Sequence, residues 1–257
     1  MDNVKHLPEG AVRWIECDLT DYVATEDAIA EARPDITFHF AAQSYVPASY
    51  QSPVATFRVN VEGTLNLLEA VSHVARDMGI ERSHFRIVVV SSSEVYGNPV
   101  GVMDETHPMR PVSPYCASKV AVDALAFTYH IAHGLQIVRG RNFTTSGPRR
   151  GSVFFDSAWC RQVACMERGI QRRVLRVGNI HSVRTVMDVR DCVRAYWTLA
   201  ERGVPGEAYN IAGRECYELS QIVEMLCKLA RVEFDVVIES TLMRPTDATD
   251  QRPNTDK

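Results

Sequence analysis

Ile87-Val88-Val89-Val90 is an unbroken run of β-branched residues, and it leads straight into Ser91-Ser92-Ser93. A strand this uniformly apolar has no polar side to turn to water, so it belongs in a sheet covered on both faces. Strand-like and helix-like segments alternate around it. Val12 to Cys17 reads as a short strand, 24–33 as a helix opened by Thr25, Glu26 and Asp27, and 36–40 as a strand. From 53 to 78, Phe57, Val61, Leu65, Leu68 and Val71 recur at three- and four-residue steps, the period of an amphipathic helix. Residues 115–133 read as a second long helix and 135–139 as another strand. This βαβα order with right-handed crossovers predicts an α/β fold built on a doubly wound parallel sheet. Ligands of such sheets bind at the carboxyl ends of the strands, so the informative loops follow Phe40, Val90 and Asn142.

Beyond Gly151 the order is less regular. Helices are predicted over 155–168, 188–202 with Asp188 as N-cap, and 220–231. Strands are predicted over 174–177, 208–211 and 233–238. This half reads as a smaller α/β lobe on the substrate side, partly interleaved with the first, which gives a division into 1–150 and 151–257. The polar segment 244–257 reads as poorly ordered.

The 257 residues suffice for one large domain or two small ones. The net charge of −4 supplies no basic field for nucleic acid or for a membrane surface. No apolar run approaches the ~20 residues of a membrane span, and Met1 to His6 has no signal-peptide core, so a cytoplasmic protein is expected. The seven cysteines are odd in number and form no Cys-x-x-Cys pair, which favours reduced thiols over a disulfide framework. His130 and His133 lack a third ligand at metal-site spacing, so no metal is expected.

Tyr115-Cys116-Ala117-Ser118-Lys119 is the most informative stretch. Residues four apart share a helix face, so the Lys119 ammonium can draw the Tyr115 phenol below its ordinary pKa of ~10. A phenol so tuned is a general base for a hydroxyl proton during hydride transfer. The loop Ser91-Ser92-Ser93-Glu94-Val95-Tyr96-Gly97 offers a hydroxyl to hold that oxygen, and Glu94 adds a carboxylate just past a buried strand.

With these residues the chain resembles an extended short-chain dehydrogenase/reductase of the NAD-dependent epimerase/dehydratase family, and within it the GDP-mannose 4,6-dehydratase branch. The resemblance also rests on Asp18-Leu19-Thr20-Asp21, Ala41-Ala42-Gln43-Ser44, Asn60-Val61-Glu62-Gly63-Thr64, Gly147-Pro148-Arg149-Arg150-Gly151, Val177-Gly178-Asn179, Asp188-Val189-Arg190-Asp191, Tyr209-Asn210-Ile211 and Met243-Arg244-Pro245. It implies a Rossmann-like dinucleotide-binding domain, an NADP cofactor with NAD as the alternative, and GDP-mannose as substrate. It further implies a homodimer or homotetramer joined through the helices over 53–78 and 115–133.

The resemblance also implies roles. Asp18 and Leu19 would flank the adenine, and Phe40, Ala41, Ala42, Gln43 and Ser44 would line the phosphate and ribose path. Tyr115 would start oxidation at sugar C4, with Lys119 on the nicotinamide ribose and Ser92 on the C4 oxygen. Glu94 would take the C5 proton, Arg150 would contact the cofactor, and Asn179, Arg184 and Arg244 would hold the sugar nucleotide. A plain 4-epimerase needs no base at C5, so Glu94 favours a dehydratase, and Ser93 in place of an acid favours the GDP-mannose type over the dTDP-glucose type.

The resemblance begins past the family's Gly-rich first strand, turn and helix, and the 14 glycines form no such turn near the start. A sheet built from Met1 onward would lack its first strand and expose an edge. Thr144-Thr145 stands where the family has Asn-His, and Arg184-Thr185-Val186 where it has Arg-Asp-Phe or Arg-Asp-Trp; both departures are expected at the substrate and nicotinamide side. The alternatives are a GDP-4-keto-6-deoxymannose reductase, a nucleotide-sugar epimerase, and a truncated non-catalytic relative that binds a partner.

Overall fold

The computed structural model describes residues 4, 6–99, 101–246 and 250–257. Its main sheet is parallel throughout, with strands β1 (Ile36–His39), β2 (Arg86–Ser92), β4 (Gln136–Asn142) and β8 (Ala208–Ile211) in the order β1-β2-β4-β8. The uniformly apolar β2 lies inside the sheet, with Ile87, Val88 and Val89 fully buried. Side chains alternate across a strand, so its neighbours divide by parity. Ile87 and Val89 pack with Ile137 under α1 (Tyr22–Ala32), α4 (Gly63–Asp77) and α5 (Pro114–His133). Val88 packs with Val138 under Cys192, Tyr196 and Leu199 of α7 (Val189–Arg202) on the other face. Helices on both faces make this the doubly wound, Rossmann-like sheet that the alternation implied.

The helical period over 53–78 is realised in three pieces. A short helix α3 (Pro53–Phe57) runs through one π-helical turn at Arg58–Glu62 into α4. α4 buries Leu67, Leu68, Val71 and Val74, each contributing on the order of 1.5–3 kcal/mol. Helix α1 begins earlier than Thr25: Asp21 caps it by accepting from the Ala24 amide. A further helix, α2 (Val46–Gln51), follows the loop after β1.

The second lobe combines α6 (Phe155–Glu167), the strand pair β6 (Val174–Val177) and β10 (Asp235–Ile238), and α8 (Leu219–Leu229) around Trp159, Leu175 and Val177. A separate three-stranded sheet of β5 (Thr144–Ser146), β7 (Val183–Asp188) and β9 (Cys216–Glu218) links the lobes. The main sheet takes β8 and its covering helix α7 from beyond residue 150.

Two expectations are corrected. Val12 to Cys17 is not a strand; among the described residues it has no ladder partner, and Trp14 there is 59% exposed. β-Structure exists only as pairs, and β1, the edge of the sheet, pairs with β2 alone. The end of the chain is ordered where it is described: β11 (Arg252–Pro253) pairs with β3 (Val102–Met103), and Gln251 is 2% exposed. Asp247, Ala248 and Thr249 lie outside the described residues.

Candidate active site

β2 ends at Ser92, whose hydroxyl accepts from the Glu94 amide and caps the short 3-10 turn Ser93–Tyr96. That turn closes at Gly97 with φ of 69°, where a Cβ would sit 2.0 Å from the Arg110 carbonyl oxygen. No side chain fits there, so the turn, and with it Glu94, is placed by a glycine. On the facing element Ser113 caps α5 through the Cys116 amide, and Pro114 opens the helix. Tyr115 thus lies in the first helical turn and Lys119 one turn on.

The four residues meet. Ser92, Glu94, Tyr115 and Lys119 line one cavity of about 710 Å3 at the carboxyl ends of β2 and β4, roofed by the second lobe. Tyr115 and Ser92 line the same wall, and the Ser92 hydroxyl favours the ionised form of the phenol. Lys119 Nζ donates to the Val90 carbonyl at 2.8 Å. Glu94 accepts from Cys116 Sγ at 3.2 Å and from Arg244 Nη1 at 3.4 Å.

The expected lowering of the Tyr115 pKa is absent in the protein alone. Burial raises it, the Glu94 carboxylate raises it further, and the Ser92 hydroxyl offsets only part. Lys119 is occupied by Val90 and is itself pushed down to about 8 by burial. An ammonium has three donors. Val90 takes one, which leaves two for a hydroxylated ligand in the cavity.

Of the other expected residues, Phe40, Ala42, Ser44, Arg150, Asn179, Arg184 and Arg244 line the cavity. Arg150 pairs with Asp156 at 3.3 Å and stacks its guanidinium 4.5 Å over Phe154. Asn179 donates to Ser182, and Arg184, on β7, is 7% exposed. Ala41 and Gln43 are outside the cavity wall; Gln43 instead donates its backbone N–H to Asn60 Oδ1 at 2.7 Å, and its carbonyl accepts from Asn60 Nδ2 at 3.1 Å. Asp18 and Leu19 sit on the loop before α1, where Asp18 accepts from Thr20 and the Leu19 carbonyl accepts from Asn66. Thr144 and Thr145 line the cavity, but Thr185 does not: it is fully buried and donates to the Gly213 carbonyl. The expectation for Thr185 is therefore corrected; the carbonyl turns it inward.

Several contributors carried no signal in the spacing. Asn60, in the π-helical turn, bonds Ser118 Oγ at 2.9 Å and so ties the loop after β1 to α5. Gln251 reaches the wall from the C-terminal segment. Tyr45 and Tyr50, at the cap and within α2, and Phe154 and Trp159, at the cap and within α6, supply aromatic lining. Among the described residues no cluster of His, Cys, Asp or Glu could hold a metal ion, and all seven cysteines are free.

A family model described as GDP-mannose 4,6 dehydratase matches residues 1–256. The chain belongs to this family. It is 32% identical over 215 residues to the GDP-6-deoxy-D-mannose reductase of Pseudomonas aeruginosa, covering 82% of this chain and 68% of that protein. It is 30% identical over 221 residues to a GDP-mannose 4,6-dehydratase of Vibrio cholerae, covering 86% of this chain and 57% of the relative. The chain thus spans little more than half the length of that dehydratase. The structure of RMD from Pseudomonas aeruginosa complexed with NADPH superposes with a TM-score of 0.84 at 28% identity, over 98% of this chain and 84% of that one. The family relationship agrees with the parallel sheet and with a cavity at its carboxyl edge.

The nicotinamide end of a cofactor fits the residues present. The two spare donors of Lys119 suit ribose hydroxyls, and Phe40, Ala42 and Ser44 wall the same cavity. The sequence holds no Gly-x-Gly-x-x-Gly turn for the pyrophosphate end.

Proposed function

We propose that this protein is a nucleotide-sugar 4,6-dehydratase that converts GDP-mannose to GDP-4-keto-6-deoxymannose. The observation that carries this reading is the Glu94 carboxylate on the cavity wall with Tyr115 and Ser92. A reaction confined to C4 needs the phenol and the hydroxyl; only an elimination across C5 and C6 needs a second base beside them.

A nicotinamide, NADP with NAD as the alternative, supplies when bound the acceptor for the C4 hydride and its return to C6. Tyr115 takes the C4 hydroxyl proton while Ser92 holds that oxygen. Lys119 holds the ribose. Glu94 takes the C5 proton, acidified by the adjacent C4 ketone; the freed electron pair forms the C5=C6 double bond as the C6–O bond breaks, and the C6 hydroxyl departs with a proton as water. Asn179, Arg184 and Arg244 hold the sugar nucleotide, since guanidinium forks match a diphosphate. Asp18, Leu19 and the segment Phe40 to Ser44 serve the rest of the cofactor, with Arg150.

A second reading, GDP-4-keto-6-deoxymannose reductase, draws on the similarity to the Pseudomonas aeruginosa reductase. Incubating the protein with GDP-mannose and NADP, and separately with NAD, separates the two. Product one water lighter than substrate supports the dehydratase. Consumption of NADPH only when the 4-keto-6-deoxy sugar is supplied supports the reductase.

We also propose a homodimer or homotetramer paired through α4 and α5. Phe127 and Ile131, one turn apart on α5, are 46% and 66% exposed.

A further inference from the structure

Glu94 is held from two sides, and one of them is a residue to which the proposed chemistry gives no role. Cys116 is fully buried at the third helical position of α5, directly after Tyr115. Its Sγ donates to Glu94 Oε2 at 3.2 Å and lies 2.8 Å from the Ser113 hydroxyl, which donates to it. The Ser113 oxygen in turn accepts from the Cys116 amide at 3.1 Å. An ordered chain results: the helix cap, the thiol, the carboxylate, and then Arg244 at the far oxygen.

We infer that Cys116 is a positioning residue for Glu94: its thiol fixes the carboxylate on the cavity wall beside Tyr115. Three features support this. The thiol is a donor rather than a thiolate, because burial and the Glu94 charge push it up to about 12, so the proton stays on sulfur at neutral pH. The thiol hydrogen has Glu94 as its acceptor, because the neighbouring hydroxyl spends its own hydrogen on the sulfur. Cys116 also adjoins Tyr115 in the first turn of one helix, so the phenol and the carboxylate are referenced to the same rigid element. A general base works only from a fixed position, and an error of an ångström costs orders of magnitude. The role of a base for Glu94 rests on the dehydratase reading, whereas the thiol–carboxylate contact stands without it.

Infrared spectroscopy tests the contact directly, since the S–H stretch falls in a window clear of other protein bands. The difference spectrum of wild type minus Cys116→Ala isolates the Cys116 band from those of the other six cysteines. In Glu94→Ala that band should move to higher frequency as its acceptor disappears; a band that stays in place overturns the proposal. In turnover, Cys116→Ala should slow loss of water from C6 on the order of fivefold to tenfold, the scale of one hydrogen bond, with formation of reduced nicotinamide unchanged. Cys116→Ser, which keeps a donor, should restore the rate. Elimination in Cys116→Ala at the wild-type rate also overturns the proposal. A band that responds in a protein inactive on GDP-mannose upholds the contact and rejects the dehydratase reading instead.

Discussion

Arg244 stands 3.4 Å from Glu94, and it is one of the contacts, with those of Gln251 to Ser93 and Asn210 to Tyr96, by which the second half of the chain reaches the loop after β2. The guanidinium is about one-third exposed and Glu94 about one-fifth, so the pair borders the cavity rather than the core. In the proposed function an arginine placed here serves two anions, the carboxylate and the substrate's diphosphate. Arg244→Ala should therefore raise KM for the sugar nucleotide about tenfold and lower kcat less, because Cys116 still holds Glu94. Steady-state kinetics check this; a fall in kcat at unchanged KM would assign Arg244 to the base alone.

Asp123 is fully buried and bonds Arg139 at 2.5 Å and Arg141 at 3.0 Å. Arg141 continues to the Tyr96 hydroxyl, and Tyr96 to Asn210, so the cluster ties α5, β4 and β8 to the turn that carries Glu94. Asp123→Ala leaves two guanidinium groups without their carboxylate and should cost about 3–5 kcal/mol in urea unfolding. A loss under 1 kcal/mol would show that the pair is solvated in practice.

His39 is buried against Thr64, and burial, aided by the Lys119 charge, pushes it down to about 4 from 6.5. Between those values the unfolded chain binds a proton that the folded chain refuses. Folding stability should thus fall as pH drops from 6.5 towards 4, by on the order of 2–3 kcal/mol. His39→Gln should flatten that dependence, measured by urea titrations at pH 7 and 4.5. An unchanged slope would place the acid sensitivity elsewhere.

The exposed apolar pair Phe127 and Ile131 should be covered in solution. Light scattering should report a dimer or tetramer mass for the protein and a smaller species for Ile131→Glu. A wild-type monomer would contradict the proposed pairing.

How much of this was legible in the sequence differs by element. β2 could be read because a strand buried on both faces is apolar along its core, Ile87 to Val90. Tyr115 and Lys119 could be read because one helical turn fixes their separation, and Ser92 and Glu94 because a serine-rich loop follows a strand end. β7 was not legible: Arg184 and Thr185 are polar, and their burial depends on a cavity and on the Gly213 carbonyl 28 residues away. Val12 to Cys17 has strand composition but no ladder partner among the described residues, and composition does not report which strands pair. The end of the chain looked loose because its anchors are distant: Asn254 bonds Met103 and Asn210, and Lys257 pairs with Glu207 and sits 4.7 Å over Tyr209. Cys116 escaped notice for the same reason, since its partner is 22 residues back.

The most direct test compares Glu94→Gln with Tyr115→Phe on GDP-mannose, following bound nicotinamide absorbance and product together. An amide cannot take the C5 proton, so Glu94→Gln should accumulate reduced nicotinamide and release no 4-keto-6-deoxy sugar, with turnover down ~10²–10⁴-fold. Tyr115→Phe leaves the C4 hydroxyl without its base and should show neither signal. Release of the 4-keto-6-deoxy sugar by Glu94→Gln at the wild-type rate would contradict the account, because the elimination would then run without the Glu94 carboxylate.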